Sequence, residues 1–396
     1  MHKRWILLVC AALLLAFPKN VKAQEQGQDA EEAKDAEQVL REGTEQIISE
    51  LDLQELEKFY QPEAFDGQTL KQAIASLTQN GLSDLSAEQA LNAIFGALLA
   101  ELAGNWRFAA EILAMLLLMS LLRNMNSSFG SEVSKAAFYA GYITVAGVAV
   151  AVLSDCVRIC SNAVQLLCNI VEGVAPVLML LLTGMGGSKT SGVLSPVLAG
   201  LTGSIFTVIT TVVFPLILIY AVLSIASNFS TAIRLGKLAD LLESVVKWLL
   251  GILFIVFLGV TALKGIAGAS IDGISFKTAK YTVDKMVPVI GGMFSETLDT
   301  IMACSLIVKN AVGIVGLISL VCLIGAPIAT LVANQFLLKF SAAAAEPFAE
   351  KRSVSLLSAM GKTVQLLTVT LLACTAMAFI FLAVLMGAAD MSMMVR

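Results

Sequence analysis

Six apolar runs, each about long enough to cross a bilayer, constrain this chain more than any other feature. They lie roughly at 107–125, 136–154, 204–226, 248–266, 311–333 and 364–387. Lipid offers backbone N–H and C=O groups no partner, so a spanning segment must satisfy them within a helix or a closed barrel. The runs are continuous and lack the in-out alternation of a barrel strand, which selects helices. With 57% hydrophobic and 14% charged residues, the chain lies far from the composition of a soluble domain. The expected fold is all-α, a polytopic helical membrane protein.

A short leader sets the expected topology. Lys3 and Arg4 precede the apolar stretch Trp5 to Phe17, and Val21-Lys22-Ala23 before Gln24 reads as a cleavage site between Ala23 and Gln24. Residues 1–23 are therefore expected to be a signal peptide, and the processed N-terminus to begin outside the cytoplasm. Six spans then return the C-terminus to the same side. Loops 126–135, 227–247 and 334–363 fall inside and carry Lys135, Arg234, Lys237, Lys247, Lys339, Lys351, Arg352 and Lys362. The excess of positive charge inside is mild, because the longer outer connections also hold lysines.

Charge divides the rest. From Gln24 to Trp106 there are 17 acidic and 4 basic residues, against 13 acidic and 18 basic from Arg107 onward. Residues 24–103 are expected to form an acidic helical extracytoplasmic domain, and 104–396 the multi-span membrane domain. The first domain reads as a helix from Glu31 to Gln61 stopped by Pro62, an amphipathic helix from Thr69 to Gln79, and a third from Ala87 opened by Ser86 and Gln89. It is either a cap on the membrane domain or a docking surface for an extracytoplasmic partner.

Two outer connections are not ordinary loops. Val174 to Thr183, with Pro176, is a short apolar arm broken by the glycines ending in Gly186 and Gly187, and Val193 to Gly203 is apolar again. Val287 to Phe294, with Pro288, Gly291 and Gly292, precedes the apolar Leu298 to Val308. Such arms suggest two re-entrant hairpins, which lipid tolerates only when protein or water surrounds the backbone. Two more full spans, or interfacial helices, are the other reading. Pro176 and Pro288 are 112 residues apart, as are Pro215 and Pro327. With the matching order of spans this suggests a tandem repeat of one orientation.

Little catalytic chemistry is available. The only histidine is His2, inside the leader, so metal sites, triads and proton relays built on imidazole are excluded from the processed chain. Gly186-Gly-Ser-Lys-Thr190 lacks the glycine spacing and preceding strand of a phosphate loop. No catalytic, metal or cofactor site is expected, and no nucleic-acid partner. The candidates for a functional role are carboxylates near the hairpins. Glu172 precedes the first; Glu296 and Asp299, three apart and on one helix face, follow the second. They either line a polar pathway or sit at the interface.

Three stretches carry a resemblance: Leu51-Asp-Leu-Gln-Glu-Leu-Glu57, Val287-Pro-Val-Ile-Gly-Gly-Met-Phe-Ser295, and Leu306-Ile-Val-Lys-Asn-Ala-Val-Gly-Ile-Val-Gly316. With the leader and the acidic exterior, the whole chain resembles the stage III sporulation protein AE family. The resemblance implies a non-enzymatic subunit of a multi-protein complex in the mother-cell membrane around an engulfed forespore, forming a channel or secretion-like conduit needed for forespore development. Its partners would be the other subunits of that complex, with self-association left open. The family supplies no catalytic motif to carry over. A secondary transporter or permease, built from two repeats with broken helices, is the alternative.

Overall fold

The computed structural model describes residues 30–65, 67–80, 87–124, 131–185, 200–229, 235–286 and 291–394. Every regular element among these is helical. We number them α1 (Ala30–Glu50), α2 (Gln54–Glu57), α3 (Leu70–Asn80), α4 (Ala87–Asn124), α5 (Ser131–Gly184), α6 (Gly200–Phe229), α7 (Gly236–Met286), α8 (Gly291–Ala345) and α9 (Lys351–Met394). Six of them, α4 to α9, contain a stretch long and apolar enough to cross a membrane. The protein is thus a multi-span helical membrane protein.

The expected N-terminal helix from Glu31 stops early, at Glu50. Asp52 explains the break: its Oδ1 accepts a bond from the Gln54 N–H at 3.2 Å, a turn that competes with continued helix. The chain then folds back through α2 and a tight turn at Pro62–Phe65. Gly67, at φ 76°, supplies the left-handed residue that closes this turn. Tyr60 stacks on Phe65 at 5.2 Å and donates to the Gln68 carbonyl at 2.8 Å. Partial burial there pushes its phenol above the ordinary value. Thr69 and Gln72 cap α3 reciprocally: the Thr69 N–H donates to Gln72 Oε1 and the Gln72 N–H to Thr69 Oγ1.

The acidic segment does not stand apart from the helices that follow. Ile48, Leu51, Leu53, Leu56, Leu70 and Ile74 belong to the same apolar core as Ile170, Val171 and Val174 of α5. Two glycines mark the contact. A Cβ on Gly43 would lie 2.8 Å from Cys304 Sγ of α8, and one on Gly173 of α5 would lie 3.2 Å from the Phe59 ring. The boundary expected at 103/104 falls inside α4, one continuous helix of 38 residues. Ser86 of the expected cap lies outside the described residues.

The span boundaries also shift. α5 runs unbroken for 54 residues, about 80 Å, so the apolar arm Val174–Thr183 is its C-terminal end and not a separate element. α8 is likewise one helix of 55 residues, and Leu298–Val308 belongs to it. Pro176 and Pro327 lie inside these helices. Pro215 is treated differently: a π-helical turn, Ile209–Val213, immediately precedes its turn of α6 and resets the ladder. The order long helix, connection, helix occurs in α5–α6 and again in α7–α8. Gly186 and Gly187 of the first tip lie outside the described residues, whereas Gly291 and Gly292 of the second open α8.

α8 is the axis of the molecule. It touches α1, α3, α4, α5, α7 and α9. α5 runs antiparallel to it, with Gly316 against Val174 at one level and Asn334 Nδ2 against Cys156 Sγ at 3.5 Å at another. α9 is antiparallel too: Lys339 Nζ donates to Gln365 Oε1 at 2.8 Å near one end, and Lys309 Nζ to the Met386 carbonyl near the other.

Candidate functional site

The residues singled out in the sequence do not converge on one pocket. Glu172 projects from α5 and is exposed, accepting a weak bond from Cys168 Sγ at 3.4 Å. Pro176, one turn on, is also exposed. Gly291 and Gly292 are the first residues of α8, and Glu296 and Asp299 follow within its first three turns. Ala23, Gln24, Gly186, Gly187 and Pro288 lie outside the described residues. Among the described residues no group of three potential ligands could hold a metal ion.

Two polar features stand out instead, and no motif marks either. The first is Lys309, fully buried between α8 and α9. Its neighbours explain how an ammonium is held there. Gly313, one turn along, lets α9 approach so closely that a Cβ would meet Met386 Cγ at 2.4 Å. The same approach brings the Met386 carbonyl to the Lys309 ammonium. A buried cation bonded to a carbonyl dipole fixes the rotation and register of α8 against α9.

The second feature is the outward face of α5. Asp155, Arg158, Asn162, Gln165, Asn169 and Glu172 recur every three or four residues and are all exposed. They share one face of the helix. Asp155 and Arg158 pair at 2.9 Å. The opposite face, with Cys156, Cys160, Val164, Leu167, Ile170 and Val174, is buried. Cys160 Sγ donates to the Leu367 carbonyl of α9 at 3.6 Å. By hydropathy alone 155–173 falls in an outer connection after the span 136–154, where polar residues carry no information. Only the contacts with α8 and α9 show what lies at the same depth. All six cysteines among the described residues are free thiols, so no disulfide staples this region.

What the fold defines is a helical membrane protein with a buried central helix and an acidic helical segment docked on its long helices. The chain belongs to the stage III sporulation protein AE family, whose model matches residues 68–389. Over 99% of its length, and 99% of the relative's, it is 26% identical to the stage III sporulation protein AE of Bacillus subtilis (strain 168). No solved structure matches it. The chain is therefore a sporulation-related, multi-span membrane protein.

Proposed function

We propose that this chain is a non-enzymatic membrane subunit of a channel or secretion-like complex that joins mother cell and forespore. It would lie in the mother-cell membrane around the forespore, with the acidic segment facing the space between the two membranes. The observation that carries this reading is how that segment is built. Its apolar side is consumed by docking on α5 and α8, which leaves Glu42, Glu45, Glu50, Asp52, Glu55 and Glu57 exposed on the other side. Exposed Arg41, Lys58 and Lys71 offset only part of this charge, Lys58 by pairing with Glu55, and the net acidic surface suits a basic extracytoplasmic partner and steers its approach. The leader would place it there, and the even number of spans would bring the C-terminus to the same side.

The test leaves the docking face untouched. Charge reversal of Glu42, Glu45, Glu50 and Glu57 to Lys should keep the protein in the membrane but lose the other complex subunits from a tagged pull-down out of sporulating cells. Unchanged co-purification would reject the docking role. A permease reading, which draws on the repeated helix pairs, predicts normal co-purification and a solute-uptake defect instead.

A further inference from the structure

We propose that the polar face of α5 lines a water-filled path across the membrane, enclosed by further copies of this chain. This inference deepens the channel-subunit reading and rests on it. Basic residues gather at one end of the bundle: Lys339 of α8 touches Gly361 and bonds Gln365 of α9, with Lys362, Lys351 and Arg352 on the same end of α9. The rule that positive loops stay in the cytoplasm makes this the cytoplasmic end. Beyond it α8 carries no charged residue from Gly316 to Asn334, and α9 none from Leu367 to Leu385. Those stretches are about 28 Å long, the thickness of the hydrocarbon core.

α5 crosses beside them. Its Cys156 touches Asn334, its Cys160 the Leu367 carbonyl, and its Val174 lies against Gly316. Asn162, Gln165, Asn169 and Glu172 thus occupy the depth at which α8 and α9 are free of charge, with Asp155 and Arg158 at its cytoplasmic edge near the level of Lys362, yet all six point away from both. The exposed amides of Asn162, Gln165 and Asn169 and the exposed carboxylate of Glu172 cannot face lipid at that depth without a penalty. Water removes it. One helix face cannot enclose water, whereas copies related by a rotation axis can each contribute one such face to a shared lumen. The face carries two carboxylates, one guanidinium and three amides, which suits water and small hydrophilic solutes with only weak charge selection.

Cysteine accessibility tests this in membranes, whether or not spores form. Asn162→Cys, Gln165→Cys and Asn169→Cys are probed with a charged, membrane-impermeant maleimide, and labelled peptides are located by mass spectrometry. The controls are Val369→Cys on α9 and the natural Cys322 on α8, exposed residues at comparable depth. The expected result is label on the three α5 positions and none on the controls, with a bifunctional thiol reagent joining copies through at least one α5 position. Equal labelling of the controls would mean that this whole level of the bundle lies outside the membrane, and would overturn the proposal. Absence of label at all three α5 positions, or of any joined copies, would overturn it as well. Failure here with a successful pull-down test would leave the subunit reading standing; the reverse would leave a water path in a protein of another role.

Discussion

α7 and α8 are near twins in length and in apolar content, at 51 and 55 residues, but they do opposite things. Half of the most apolar stretch of α8 is buried inside the protein, against 22% for α7. Trp248 and Ile255 of α7 are 72% and 69% exposed, an apolar surface that only lipid or another protein can cover. α8 buries a lysine, an asparagine and two glycines against neighbours. The difference lies in the sparse residues, not the abundant ones. In lipid there is little hydrophobic drive between helices, so small residues and satisfied polar groups decide which helix becomes the centre.

The largest test of that contrast is at Lys309. Lys309→Glu sets a carboxylate against the Met386 carbonyl in a buried site and should cost about 3–5 kcal/mol, enough to prevent accumulation of the folded protein in membranes. Lys309→Met, which keeps volume and removes the charge, should be tolerated far better; equal loss in both would mean that the charge itself is required. A smaller effect separates the glycines. Gly313→Leu has no room beside Met386 and should lower thermal stability in detergent by about 1–3 kcal/mol. Gly251→Leu on α7 meets nothing within 4 Å and should change stability by less than about 0.5 kcal/mol. Equal effects at the two positions would remove the distinction between a central and a peripheral helix. The least is expected at Asn334→Leu, which loses its bond to Cys156 and should cost about 0.6 kcal/mol. A loss several-fold greater would mark the α5–α8 contact as the main lock.

Much of this was legible in the sequence. Continuous apolar runs announced six helices. The domain boundary and the free-standing hairpin arms were not legible, for a common reason. Hydropathy reports where a helix is apolar, not where it ends: α4 runs through the change of charge at Trp106, and α5 runs through both the polar stretch after Ser154 and Pro176. Glu172 was found as a candidate because a carboxylate near a hairpin draws notice. Asn162, Gln165 and Asn169 were missed because neutral amides in an outer connection do not. A charge at Lys309 is visible in the sequence, but its surroundings are not. Its full burial depends on Gly313 and Met386, which lie 73 residues apart in the chain.

The central claim, that this chain serves sporulation as a membrane subunit of a mother cell–forespore complex, is tested most directly by removing it. A spore-forming host lacking the chain should complete engulfment and then arrest, with heat-resistant spores lost. The wild-type chain should restore them; Lys309→Glu and the four-residue charge reversal should not. A normal spore count without the chain would contradict the account.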